Sequence, residues 1–244
     1  MPQVVIVGSL KDEMLLNLAK EALKRGFTPI VLGPSETSHV SIDGTDVACI
    51  NMENDADLRE TPPKYTDNIA KAVAELGAMP SRDVEYVFYN PPINTLANAK
   101  DFPAIQEQIS ARSDAIQELF VDAFLAIQQR AFQFIKFGCP QMLDEFVNPN
   151  GLGMVERTRR LHGKIECAVP GSRSLIVHPR GLTVPFEFKK RDPRKRLDLP
   201  TLASMVWSEV LTEETGYPSF REVQVHRTED GQHHLTHGPV SASV

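Results

Sequence analysis

The chain has 244 residues, 41% of them hydrophobic and 24% charged, which is the make-up of a globular protein long enough for one sizeable core. Its 26 Lys and Arg against 32 Asp and Glu leave a net charge of −6, and that excludes the broadly basic surface that nucleic-acid phosphate demands. No run approaches the roughly 18 apolar residues of a membrane span, and Met1-Pro2-Gln3 leads straight into a β-branched run without the basic segment of a signal peptide, so neither membrane nor leader is expected.

Val4-Val5-Ile6-Val7 predicts a buried parallel strand. Leu15, Leu18, Ala19, Ala22 and Leu23 then share one helical face, and Gly26 stops that helix. Pro29–Leu32 predicts a second strand ended by Gly33-Pro34, and Val47–Ile50 a third. A helix is expected over 64–76, then a strand over Val84–Tyr89 closed by Asn90-Pro91-Pro92. Ile105, Ile109, Ile116, Phe120, Ala123 and Ile127 mark a long helix. Phe132–Phe137 predicts a strand ending at Gly138, and 151–168 a helix with Met154, Leu161, Ile165 and Ala168 as its apolar stripe. Leu175–Val177 predicts the sixth strand, ended by His178-Pro179-Arg180-Gly181. After a basic loop, Pro200 opens a helix with Leu202, Met205, Val206 and Val210 on one face. Glu222–Arg227 alternates as a seventh strand, Asp230-Gly231 turns the chain, and the last dozen residues read as a tail. Strands alternating with helices argue for a parallel sheet covered on both faces.

Three cysteines, Cys49, Cys139 and Cys167, are an odd number with no CxxC pair, so neither a disulfide framework nor a structural zinc site is expected. Reduced thiols in the cytoplasm fit better.

This order resembles the short-chain dehydrogenase/reductase family over residues 3–231. The landmarks are the strand–Gly8–helix opening, Asn90 after the fourth strand, Pro179-Arg180-Gly181 after the sixth, Pro200, and Asp230-Gly231. The resemblance implies a single Rossmann-like doubly wound domain, 1–231, with a mostly parallel sheet of about seven strands flanked by helices. A C-terminal tail, 232–244, follows. It also implies dimers or tetramers.

The family's chemistry does not transfer with the layout. A dinucleotide turn needs glycines so that backbone can approach pyrophosphate at a helix N-terminus. Here Gly8 is followed by Ser9-Leu10-Lys11-Asp12-Glu13-Met14, and the next glycine is Gly26. The second strand ends in Gly33-Pro34-Ser35 in place of an acid for the ribose, with Glu36 a poor substitute. Family members use a Tyr lowered in pKa by a Lys four residues on, plus a Ser and an Asn. Four residues after Tyr65, Tyr86, Tyr89 and Tyr217 come Ile69, Asn90, Ile93 and Arg221. Family spacing puts Pro149 and Gly153 at the Tyr and Lys positions and Gly138-Cys139 at the Ser position. No serine lies between Ser113 and Ser172, and no asparagine between Asn98 and Asn148. No catalytic, cofactor-binding or metal residue is therefore expected in this chain.

Other groups read first as structure. Cys139 is a small core residue, or a nucleophile if His162 or His178 approaches it. His233, His234 and His237 belong to a polar tail, or offer imidazoles to a metal. Arg157, Arg159 and Arg160 read as helix surface. Residues 189–196 hold Lys189, Lys190, Arg191, Arg194, Lys195 and Arg196 with only Asp192 opposing them. They form a solvated loop, or a contact for a phosphate-rich ligand such as CoA or for an acidic partner.

Vacant roles together imply a catalytically silent subunit. It would assemble as a hetero-oligomer, a tetramer by family habit, with an active paralogue that holds NAD. Family interfaces map to 105–128, 153–168, 201–211 and 222–227, and the tail could reach the partner's pocket. The two-subunit dehydrogenase of anaerobic toluene degradation, which oxidises a hydroxybenzyl-succinyl-CoA and includes a silent subunit, is similar in kind. Two other readings stand: an atypical NAD(P)-dependent oxidoreductase with displaced acid/base groups, and a stand-alone small-molecule-binding protein.

Overall fold

The computed structural model describes residues 2–52, 63–79, 84–90, 102–138, 149–179, 197–212, 218–228 and 230–238, and no side chains within 63–67, 102–114 and 149–155. The elements follow in chain order: β1 (Gln3–Val7), α1 (Glu13–Lys24), β2 (Thr28–Gly33), β3 (His39–Ile42), β4 (Thr45–Asn51), α2 (Pro63–Ala78), β5 (Val84–Tyr89), α3 (Phe102–Ile127), β6 (Gln133–Phe137), α4 (Pro149–Ala168), β7 (Arg173–Pro179), α5 (Leu199–Leu211), β8 (Phe220–Arg227) and β9 (His233–His237). One sheet carries them in the order β3-β4-β2-β1-β5-β6-β7-β8-β9. The seven inner strands run parallel, as the alternation of elements predicts. No described helix is long and apolar enough to cross a membrane.

The two outer strands are antiparallel additions that the sequence reading lacked. β3 joins β4 through Asp43-Gly44, whose φ values of 49° and 82° suit a tight hairpin. β9 lies antiparallel on β8, with Val223 opposite His237 and Arg227 opposite His233. The tail expected from residue 232 is therefore sheet at 233–237. The backbone groups along the outer side of β8 take those five residues as partners, an edge that would otherwise stand open.

Each face of the sheet has its own core. On one face α1 and α5 pack against Val4, Ile6, Phe88, Val177, Val223 and Val225. Trp207 of α5 is fully buried there. Its ring stacks on Phe27 at 5.0 Å and meets Phe88 at 5.0 Å and Tyr86 edge-on at 5.5 Å. Its indole N–H donates to the Leu18 carbonyl of α1 at 3.1 Å, so one side chain joins both helices to the sheet. The other face is covered by α2, α3 and α4, with Tyr89, Phe120, Phe124, Phe132 and Phe134 as its aromatic centre.

Trp207→Ala removes a fully buried ring and leaves a cavity between α1, α5 and β5, a change that costs about 3–5 kcal/mol. Urea unfolding followed by circular dichroism should show that loss. Trp207→Phe should retain part of the packing and lose the bond to Leu18.

Candidate functional site at the switch point of the sheet

The chain moves outward from β1 in both directions, to β2 on one side and β5 on the other, so the sheet's switch point lies between β1 and β5. Ligands of such folds bind beyond the C-terminal strand ends at that point. Gly8, Gly33 and Asn90 meet there. Gly8 N–H donates to Leu32 O at 2.8 Å, and Asn90 N–H to Val7 O at 3.0 Å. Gly8 has φ +145°, and a Cβ on it would stand 2.4 Å from Asn90 O. A Cβ on Gly33 would stand 2.1 Å from Gly8 O. Both glycines let three backbones converge.

The turn beyond Gly8 closes on itself. Asp12 N–H donates to Ser9 O at 2.9 Å, and Lys11 N–H to Ser9 Oγ at 3.2 Å. Asp12 is the N-cap of α1, where its Oδ1 accepts from Met14 N–H at 2.9 Å. Its Oδ2 accepts from the Asn90 side-chain amide at 3.0 Å. A carboxylate of the chain thus lies on the N-terminal end of α1, where the helix field favours an anion. Asn90, the landmark expected after the fourth strand, spends its amide on that carboxylate. At the end of β2, Ser35 N–H donates to Asn51 Oδ1 at 3.4 Å, and Glu36 is exposed.

Further along the edge, polar groups are buried under α3 and α4. Lys136 of β6 donates to Gln117 Oε1 of α3, and both are buried. Gln117 stands on the long helix expected from its apolar stripe and as an interface, and the sequence reading did not single it out. His162 of α4 lies 3.0 Å from Ser174 Oγ, 3.0 Å from Ser219 Oγ and 3.3 Å from Glu166 Oε2. Burial pushes its pKa below the ordinary value, and the Glu166 carboxylate only partly opposes this. His178, 1% exposed at the end of β7, has no hydrogen-bond partner at either ring nitrogen among the described residues. Its Nε2 lies 3.7 Å from Glu222 Oε2 of β8, whose other oxygen is 3.5 Å from Arg159. Arg159, expected as plain helix surface, also lies over the Phe220 ring at 5.2 Å.

The remaining expectations divide. Cys139, the loop with Lys189 to Arg196, Pro91-Pro92 and Arg180-Gly181 lie outside the described residues. Cys49 is buried and Cys167 exposed, both as free thiols. Burial is the main cause that raises the Cys49 pKa. The three tail imidazoles do not converge, because strand alternation turns His234 away from His233 and His237. His233 Nε2 accepts from Asp198 N–H at 3.1 Å, and His237 lies 3.5 Å from Glu209. Among the described residues no three His, Cys, Asp or Glu side chains are grouped to hold a metal.

Two outcomes follow from this geometry. Gly33→Ala drives a methyl into the Gly8 carbonyl, so thermal unfolding should show a loss of about 1–3 kcal/mol, the cost of overpacking. The lowered His162 pKa means that the unfolded chain binds a proton there more readily than the folded one. The linked stability is present above the ordinary histidine pKa and falls away as pH drops through it toward the folded value. Urea midpoints measured across that window should fall on acidification, and His162→Gln should flatten the fall.

Neither a protein-family model nor a curated protein matches the chain by sequence. Solved structures do match. A short chain dehydrogenase from Salmonella enterica serovar Typhi superposes with a TM-score of 0.68 at 12% identity, over 92% of this chain and 96% of that one. A dehydrogenase/reductase from Sinorhizobium meliloti gives 0.66 at 13% identity, over 91% and 92%. A short chain dehydrogenase from Burkholderia cenocepacia, solved in complex with NADP, gives 0.62 at 12% identity, over 91% and 87%. At such identities the likeness fixes the architecture: this chain has the fold of the short-chain dehydrogenase/reductases.

Proposed function

We propose that this chain is a catalytically silent subunit that assembles with, and stabilises, an active dehydrogenase of the same fold. The observation that carries the reading is Asp12. Its carboxylate caps α1 and is tied to Asn90, so a pyrophosphate approaching that helix end meets a like charge where an anion should be welcomed. The sequence adds that no Tyr-x-x-x-Lys exists in the chain. NAD would sit in the partner subunit, and a tetramer is the expected assembly. The basic residues of 189–196 suit a CoA-thioester substrate of the complex through its phosphates.

A second reading has its own observation. His178 is buried, has no hydrogen-bond partner among the described residues and lies 3.7 Å from Glu222, an arrangement that suits a displaced acid/base pair in an atypical oxidoreductase.

Native mass spectrometry of the complex isolated from its own cells, with titration of the chain alone by NAD(H) and NADP(H), separates the two. The silent-subunit reading expects a hetero-oligomer with an intact dehydrogenase, and no rise in the melting temperature of the lone chain with either dinucleotide. A homo-oligomer protected by micromolar dinucleotide overturns it. If His178→Gln then abolished turnover without changing that protection, the second reading would stand. A homo-oligomer that retains some other small molecule points to a stand-alone binding protein.

A further inference from the structure

Where β7 and β8 begin, α4 sets a histidine between two serines. Ser174 is the second residue of β7 and Ser219 precedes β8, so the group lies at the N-terminal ends of these strands and uses none of the switch-point residues. His162 is buried, and each ring nitrogen has its own serine: Nδ1 lies 3.0 Å from Ser174 Oγ, and Nε2 3.0 Å from Ser219 Oγ. Ser174 is buried, whereas Ser219 is half-buried and within reach of solvent. Glu166, exposed and one turn on from His162, places Oε2 3.3 Å from Nε2 and 3.4 Å from Ser219 Oγ. The Phe220 ring meets the His162 ring at 5.7 Å and carries the Arg159 guanidinium over its face at 5.2 Å.

We propose that Ser219 is a nucleophile activated by His162, and that this corner of the fold transfers acyl groups from activated aryl esters. A serine attacks when a base can take its proton and a third group fixes the orientation of that base. With Nδ1–H donating to the buried Ser174 Oγ, the Nε2 lone pair faces Ser219 Oγ, the shorter of that hydroxyl's two contacts. Burial lowers the pKa of His162, so the ring is neutral and able to accept at neutral pH. Glu166 then stabilises the imidazolium that forms. Ser219 Oγ bonds to the ester carbonyl carbon while its proton passes to Nε2. The adduct expels the phenolate, which takes that proton. Water, deprotonated by the same nitrogen, attacks the acyl-serine, releases the carboxylic acid and restores Ser219. Phe220 gives the aryl group an apolar surface. Among the described residues, the charged groups beside His162 are Glu166 and Arg159 of its own helix, while β7 and the start of β8 face it with Ser174, Ser219 and Phe220. The site is independent of the silent-subunit reading, which concerns dinucleotide chemistry at the opposite ends of the strands.

The test treats the full chain with a fluorophosphonate and, separately, with p-nitrophenyl acetate. Phosphonylation at Ser219 is expected by peptide mass spectrometry, with release of p-nitrophenol above the buffer rate. Ser219→Ala should abolish both. His162→Gln should slow labelling about a hundredfold, a usual contribution of a general base. The labelling rate should fall on acidification through a midpoint below the ordinary histidine pKa. Glu166→Gln, at an exposed position, removes the carboxylate that favours the imidazolium and should move that midpoint to lower pH, a change that packing alone does not give. This variant keeps the test open even if His162→Gln unfolds. A wild-type chain that takes no label would overturn the site, as would label on another residue. So would a rate that ignores His162 or a midpoint that ignores Glu166.

Discussion

The close approach of three backbones at Gly8, Gly33 and Asn90 governs the candidate site. With Gly33 almost on the Gly8 carbonyl, β1 and β2 leave no room for a side chain between them. The turn after Gly8 then rises in one direction only, and α1 begins at Asp12. That start determines which side chain lies on the helix end. In this chain it is a carboxylate, and the nearest amide, Asn90 on the neighbouring strand, is placed to hold it. The frame that elsewhere could present an empty anion site here presents a filled one, with no change in the path of the strands.

The two faces of the sheet differ in chemistry. The α1–α5 face is mostly apolar around Trp207, with the buried Arg221–Glu209 ion pair between α5 and β8 as its polar exception. The face under α3 and α4 buries Lys136, Gln117, His162, Ser174, His178 and Glu222. Such groups cost free energy unless paired, and most are: Lys136 with Gln117, His162 with two serines, Glu222 with Arg159. His178 differs: among the described residues neither ring nitrogen has a hydrogen-bond partner, and Nε2 lies 3.7 Å from the Glu222 carboxylate. A group kept at that cost next to the C-terminal edge is the best physical argument against reading the whole chain as inert. Arg221 and Glu209 make the contrast clear: equally buried, but joined at 2.5 Å, they tie α5 to β8.

Much of this was legible in the sequence. Among the described residues, the seven parallel strands and five helices follow from β-branched runs alternating with helical periodicity, and Asp198 before Leu199-Pro200 marks the start of α5. β3 was missed because it is four residues long and mostly exposed, although Asp43-Gly44 between Ile42 and Thr45 carried a hairpin signal. β9 was missed because three histidines in five residues look like tail. Only the facing row of β8 shows that they are strand. The types missing from the site were visible at once, since absence does not depend on register. What fills the site was not: Asp12 could be read as an added charge, but its bond to Asn90 joins residues 78 apart. The partners of Lys136 and His162 were hidden for the same reason.

The histidines show how spacing in sequence and closeness in space come apart in a sheet. His233, His234 and His237 look like one cluster when read along the chain. The two-residue period sends His233 and His237 toward α5, where one accepts the backbone N–H of Asp198 and the other approaches Glu209. His234 turns the other way and meets His226, eight positions earlier, because the ladder pairs them. Which imidazoles face each other is therefore set by the register of β8 against β9. A one-residue slip of that register would move every imidazole of β9 to the opposite face and dissolve the pair while leaving the sequence motif intact.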